Sequence, residues 1–310
     1  EIEMARLDRL KQLSDLRFQA LFHLPINVLT CWDFHVVDAL ERWQERVGPG
    51  LREWFSVLGE ADALCARAAL AHDNPTWAFP EVRPGLTTLE ARGLGHPLIP
   101  DDRRVANDVT VGPPGTVLLV TGSNMSGKST LLRAIGSNVV LAQAGAPVCA
   151  QELRMPPALL CTSMRVRDSL EEGVSYFMAA LQRLKLVVDA ARRTPPGPPG
   201  LIYLLDEILQ GTNTAERQGA VRRILHHLLS LPVGGAVTTH DLELAGSPEL
   251  AASCRAVHFT EGVEGRAGEA RLSFDYRLRP GVATSRNALK LLELVGLDAD
   301  APHGSATADT

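Results

Sequence analysis

"LLVTGSNMSGKSTLLRAIG" (Leu118–Gly136) decides how this chain folds: an apolar run stops at Gly122, Lys128-Ser129-Thr130 follow, and a helical pattern resumes. Gly122-x-x-x-x-Gly127-Lys128-Ser129 is the phosphate-binding loop pattern, with a strand before it and a helix after it. Successive backbone N–H groups of such a loop, with the positive end of the following helix, form a cradle for anionic oxygens. Glycine is required where the backbone turns tightly or approaches a phosphate. Gly122, Ser123, Asn124, Met125, Ser126, Gly127, Lys128, Ser129 and Thr130 are therefore expected to wrap a triphosphate, Lys128 reaching its β and γ groups and Ser129 ligating Mg²⁺. The plainer alternative is a strand-to-helix turn with a chance lysine.

Such a loop needs a second strand that ends in a carboxylate. "LIYLLDEILQG" (Leu201–Gly211) supplies it, with Asp206 at the strand tip for the Mg²⁺ shell and Glu207 to orient or deprotonate a water attacking the γ-phosphate. That pair indicates hydrolysis, whereas alone it would read as a surface acidic pair. "VTTHD" places His240 directly after the next strand, where it can sense the γ-phosphate and the attacking water. Elsewhere a single His is usually structural.

Outward from these motifs, strands are expected at Val117–Thr121, Leu159–Thr162, Leu201–Leu205 and Ala236–Thr239, and helices at Lys128–Ala144, Ser175–Arg192 and Thr214–Leu231. The alternation predicts an α/β fold, a mostly parallel sheet flanked by helices. Ala256–Thr260 and Ala270–Leu278 alternate polar and apolar residues like an antiparallel edge, and Ser285–Gly296 reads as a last helix. Before the "DNPTWAFPEVRPG" boundary (Asp73–Gly85), helices are expected at Glu1–Leu24, Val28–Arg46 and Leu51–His72, with Pro25 and Gly48-Pro49-Gly50 as their breaks. The division that follows is a helical region at 1–80, an ATPase-like domain at 81–297 and a disordered tail at 298–310.

In a chain of 310 residues, 45% apolar and 22% charged, no stretch approaches the roughly 18 apolar residues of a membrane span. The five cysteines are scattered without metal-ligand spacing, so buried reduced thiols and a cytoplasmic location are expected. Glu1 falls inside a helical pattern and no signal peptide is present, which suggests the C-terminal part of a longer protein. A net charge of −5 argues against a large nucleic-acid clamp within this segment; Arg192-Arg193 and Arg222-Arg223 read as solvated helix faces.

These elements together resemble the ATPase domain of the MutS family of DNA mismatch-recognition proteins. The residues that carry the resemblance are "TGSNMSGKSTLLRAIG" (Thr121–Gly136), "GAPVCA" (Gly145–Ala150), "GVSYF" (Gly173–Phe177), "LLDEILQGTNTAER" (Leu204–Arg217) and "TTHDLEL" (Thr238–Leu244), within a similarity from about Leu89 to Leu297. The resemblance implies an ABC-ATPase-like fold preceded by a lever and connector region, and an ATPase that works as a homodimer, each loop being completed by the partner. The matching trans segment is Gly211-Thr212-Asn213-Thr214, whose Asn213 and Thr214 would approach the neighbour's γ-phosphate. It also implies DNA binding through upstream domains, in DNA repair, with ATP and Mg²⁺ as cofactors and no membrane contact from this segment. Three departures stand out. Arg104 occupies the place of an aromatic residue that stacks on adenine in the repair proteins, Ala180 replaces an acidic residue, and "DEILQGTNTAER" differs from their "DEIGRGTST" form. These suggest a divergent branch.

An ABC-type module coupled to a non-DNA or membrane partner is the alternative reading; such modules carry an "LSGGQ"-like signature, and "RTPPGPPG" (Arg193–Gly200) stands in its place. A small-metabolite kinase would need an Arg-rich lid, which the sequence does not show.

Overall fold

A computed structural model describes residues 2–164, 176–198, 200–209, 214–240, 250, 252–264 and 271–283. The chain divides into two compact units, Glu1–Ala69 and Leu70–Thr310. The expected helix at Ser285–Gly296, the tail and the Gly211–Asn213 segment lie outside the described residues.

The first unit is helical: α1 (Ile2–Asp15), a 3-10 turn (Leu16–Phe18), α2 (Ala20–Thr30) and α3 (Trp32–Asp73). Pro25 and Pro49 were expected to interrupt helices, and both instead lie inside them, with α3 running through Gly48-Pro49-Gly50 as one helix of 42 residues. Proline removes one backbone donor and Gly48 and Gly50 add their own cost, which the longer helix-forming segments beyond them outweigh. The helix breaks instead at residues 16–19, inside the expected helix Glu1–Leu24, and at Cys31, which adopts a left-handed conformation (φ 50°) while its N–H donates to the Asn27 carbonyl at 2.8 Å. The Asn27 side chain then accepts from the Asp33 N–H at 2.9 Å and caps α3. Trp43 is buried, and its indole N–H donates to the Glu3 carbonyl at 3.0 Å, tying α1 to α3.

In the second unit the described strands are β1 (Glu81–Val82), β2 (Leu89–Leu94), β3 (Asn107–Val111), β4 (Val117–Thr121), β5 (Glu152–Met155), β6 (Ala158–Ser163), β7 (Gly200–Leu205), β8 (Gly234–Thr238), β9 (Cys254–Glu264) and β10 (Arg271–Pro280). The helices are α4 (Lys128–Gln143), α5 (Tyr176–Arg193) and α6 (Thr214–Leu229). Six strands form a sheet in the order β10-β9-β4-β8-β7-β6, parallel except for the β9–β10 pair. The mostly parallel α/β architecture is the one the strand and helix alternation predicts. Among the described strands β10 and β6 are the edges of this sheet, and β9, expected as part of an antiparallel edge, also pairs in parallel with β4.

Along β4 the side chains alternate between two cores. Leu118 and Val120 pack with α4 residues Leu132, Ile135 and Val139, whereas Val117 and Leu119 pack with α5 and α6 residues such as Leu184 and Leu225. A strand covered on both faces reads as an unbroken apolar run, which is why it was visible in the sequence. Ala180, the position noted for its missing acid, is buried in the second of these cores.

A second sheet, β1-β5-β2-β3, was not anticipated. Its inner face (Leu89, Ala91, Leu94, Val109, Val111, Leu153) completes the core over α4. The fully buried Asn138 of α4 joins the layers: its amide N–H₂ donates to the Gly95 carbonyl at 2.9 Å and to the Ala134 carbonyl at 2.8 Å, and its carbonyl accepts from the Cys149 N–H at 2.7 Å.

All five cysteines are free, but Cys31 and Cys65 are exposed, contrary to the expectation of buried thiols. Burial pushes the Cys149 and Cys161 thiols up and Cys254 to about 11, so none of these three is a ready nucleophile. Arg192, Arg193, Arg222 and Arg223 are exposed on α5 and α6. No described helix is long and apolar enough to cross a membrane.

Asn138→Ala leaves the buried Gly95 carbonyl and Cys149 N–H without this partner. Urea denaturation is expected to show a loss of about 2–4 kcal/mol, more than an ordinary surface substitution gives.

Candidate functional site

The register of the large sheet brings the decisive residues to one edge. Val120 lies opposite Thr238, and Leu205 opposite Val237, so β4, β8 and β7 end level with one another. Ligands of open α/β sheets sit at such carboxyl ends. The loop from Gly122 to Gly127 leaves β4 there and enters α4 at Lys128. Gly122 (φ +138°) and Gly127 (φ +107°) take conformations that favour glycine, and a Cβ on Gly122 would stand 2.9 Å from Ser126 Oγ and 3.1 Å from the Phe259 carbonyl. Met125 is left-handed as well (φ 67°), with its side chain exposed at the lip.

Lys128 is buried, at 4% exposure, and its ammonium donates to the Gly122 carbonyl at 2.8 Å and the Ser123 carbonyl at 2.6 Å. Burial lowers its pKa from the ordinary lysine value, while Glu207, Asp206 and Glu261 pull the other way. The Ser129 hydroxyl donates to Asp206 Oδ1 at 3.0 Å. Thr238, at the end of β8, donates its hydroxyl to the same oxygen at 2.6 Å and accepts the Glu207 N–H at 3.0 Å. The Asp206 N–H in turn donates to the Ser163 carbonyl of β6 at 2.9 Å. Glu207 sits in a left-handed conformation (φ 48°). His240 is exposed, two residues past β8, where the Thr239 N–H donates to the Val120 carbonyl at 3.0 Å.

A cavity of about 610 Å³ opens above the loop, lined by Asn124, Met125, Gly127, Lys128, Ser129, Thr130 and Glu207 at one end. His96, Arg104, Val105 and Asn107 line the other, and Tyr276 lines the cavity beside Gly127. The cavity is large enough for a nucleotide-sized ligand. Within the loop, Ser126 Oγ is buried and, among the described residues, has no hydrogen-bond partner. A buried, unsatisfied hydroxyl inside a ring of loop backbone fits an anionic ligand. The Ser129–Asp206 pair likewise offers the oxygen donors that a hard divalent cation takes.

Arg104 lines the far end with its guanidinium turned to the wall. It donates to the Ile99 carbonyl through Nε (3.0 Å) and Nη2 (2.6 Å), pairs with Asp101 at 2.6 Å, and lies 5.6 Å over the Trp77 ring. Burial first, then Arg133 and Arg104, lower the pKa of His96. The sequence reading missed three residues of this cavity. Tyr276 sits in a left-handed conformation (φ 54°) within the irregular stretch of β10 between Phe274 and Leu278, where it faces the cavity. Asn107 fixes that irregularity by donating to the Tyr276 carbonyl at 3.0 Å and accepting the Leu278 N–H at 2.7 Å. His96 precedes Pro97 in a stretch without periodicity. An aromatic residue in a strand-like run is the one signal that pointed to Tyr276. Asn213 lies outside the described residues; Thr214 opens α6.

Comparison with known proteins matches residues 118–302 to the family model described as MutS domain V. The chain is 29% identical over 267 residues to the DNA mismatch repair protein MSH6 of Arabidopsis thaliana, covering 79% of this chain and 19% of that protein. It is 30% identical over 268 residues to the DNA mismatch repair protein MutS 2 of Halobacterium salinarum, covering 82% and 29%. An endonuclease MutS2 of Thermomicrobium roseum is 30% identical over 303 residues, covering 86% and 36%. The chain thus spans between 19% and 36% of the length of these relatives.

Lys128→Ala removes the buried cation of the loop. Nucleotide titration is expected to show binding reduced by at least about a hundredfold, in line with the loss of a charge-assisted contact in a poorly solvated site; unchanged affinity would contradict the phosphate-loop assignment.

Proposed function

This chain belongs to the MutS family, and from that premise we propose that it is the ATPase part of a MutS-like DNA-repair protein. It binds and hydrolyses ATP in a composite site of a homodimer, and thereby switches a DNA-binding clamp formed by chain beyond this segment. Residues 1–80 serve as the lever and connector and 81–297 as the ATPase domain. The observation that carries this reading is the Asp206 carboxylate held against both Ser129 of the glycine loop and Thr238 of the neighbouring strand. The names of the relatives support a role in DNA repair, and a cytoplasmic location accords with it.

In this reading Lys128 turns its ammonium from the Gly122 and Ser123 carbonyls to the β- and γ-phosphate oxygens. The N–H groups of residues 122–130 hold the remaining oxygens. Ser129 and Asp206 hold Mg²⁺, which when bound neutralises charge on the phosphate oxygens. Glu207, whose backbone is fixed by Thr238, orients the attacking water and takes its proton. His240 stands by the strand tips as the sensor of the γ-phosphate. Val105 and Tyr276 offer the base apolar and aromatic surface in the cavity, since Arg104 is engaged with Trp77, Asp101 and Ile99. Asn213 and Thr214 complete the partner's site.

Two outcomes are expected. Glu207→Gln retains ATP binding and slows single-turnover hydrolysis by roughly 10²- to 10⁴-fold, and wild-type turnover would remove Glu207 from the mechanism. Turnover of the full-length protein rises with its concentration, and mixing a Lys128 variant with an Asn213 variant restores one working composite site. Addition of homoduplex, mismatched and branched DNA in turn names the substrate; turnover indifferent to all three would count against a DNA clamp.

A further inference from the structure

The β9–β10 hairpin meets the glycine loop at three points. The Phe259 carbonyl occupies the space beside Gly122, at 3.1 Å from where a Cβ would stand. The Tyr276 ring lies 3.2 Å from the corresponding position at Gly127. Between these contacts the Ser123 hydroxyl donates to the carboxylate of Glu261. Two of the three contacts only fill space. The third brings a negative charge to the rim of a phosphate cradle.

That charge has no part in holding the strand, because the β9 backbone at Glu261 already pairs with Phe274 of β10. Asp206 and Glu207 have work at the metal and the water; Glu261 spends its hydrogen bond on the loop. It does so where Lys128 donates to the carbonyls of Gly122 and Ser123, the latter being the residue whose side chain Glu261 holds. We propose that Glu261 is a positioning and specificity residue of the nucleotide site. Through Ser123 it holds the loop in the form in which Lys128 serves the loop's own carbonyls, and its charge sets how far the site favours a triphosphate over a diphosphate. The inference rests on the reading of residues 122–130 as a nucleotide loop.

Two separable effects follow from the geometry. The hydrogen bond stabilises the form of the loop in which Lys128 is turned inward, so breaking it favours any nucleotide that recruits Lys128. The charge repels the terminal phosphate, and Lys128 already lies within the electrostatic reach of Glu261. A γ-phosphate adds charge at the Lys128 end of a ligand, so removal of the carboxylate charge helps ATP more than ADP.

Calorimetric titration of the full chain with a non-hydrolysable ATP analogue and with ADP, both with Mg²⁺, tests this. Glu261→Gln keeps an oxygen for Ser123 and removes the charge; it is expected to bind the ATP analogue roughly three- to tenfold more tightly and ADP by a smaller factor, so that the ratio rises. Ser123→Ala breaks the hydrogen bond and keeps the charge; it is expected to tighten both ligands by a similar factor, leaving the ratio as in the wild type. Thermal unfolding of each variant without nucleotide checks that it is folded. An unchanged ratio in Glu261→Gln, or affinity for the analogue no greater than wild type, overturns the proposal while wild-type binding and its loss in Lys128→Ala leave the nucleotide reading standing. Wild-type protein that binds neither ligand overturns that reading and this one with it.

Discussion

One carboxylate oxygen does most to define this site. Asp206 Oδ1 accepts hydroxyl hydrogen bonds from Ser129 and Thr238, and so joins the first turn of α4, the tip of β7 and the tip of β8. Hydrogen bonds to an ionised group contribute about 1.5–3 kcal/mol each, more than neutral ones, because the charge stays solvated by protein donors. The register of the sheet makes that possible: only strands that end level can present a carboxylate and a hydroxyl to the same point. Thr238 does a second thing with the same oxygen by accepting the Glu207 N–H. The residue proposed to handle water and the residue proposed to handle the metal are thus aligned by one threonine.

The far end of the cavity is fastened differently, by two asparagines. Asn138 links α4 to Gly95 and Cys149, and Asn107 links the start of β3 to the irregular part of β10. An asparagine side chain carries a donor and an acceptor and can stand in for a missing ladder partner where strands do not continue. Both walls depend on such substitutions, because among the described residues the small sheet and the large sheet are not paired to each other. Trp77 adds the outer support for Arg104.

Legibility followed burial. The glycine loop, Asp206 and the strands before them could be read because a strand covered on both faces is a continuous apolar run, and because glycine spacing carries its own geometric meaning. The second sheet could not: β2 is "LEARGL", where charged residues alternate with buried ones over a single short strand that is bulged at Gly93. Proline misled in the helical unit, since a local propensity for ending a helix is small beside the propensity of the long flanking segments. Asn138 fell inside the expected helix Lys128–Ala144 and Asn107 in no motif, and nothing in a single sequence says that their amides face across elements distant along the chain. Arg104 was placed at the cavity by its spacing from the loop, but its engagement with Trp77 depends on a contact between the two ends of that segment.

The order of the large sheet also has a bearing on how the chain is made. β4 ends at Thr121, yet its two neighbours begin only at Gly234 and Cys254. A ribosome therefore releases the glycine loop long before either strand that will hold it, and pairings so distant in sequence form slowly. During that interval an apolar strand with two open edges is exposed, and Asp206, Thr238 and Glu261, whose side chains later meet the loop or one another, are still unmade or unplaced. β4 and its loop thus wait for partners made more than a hundred residues later.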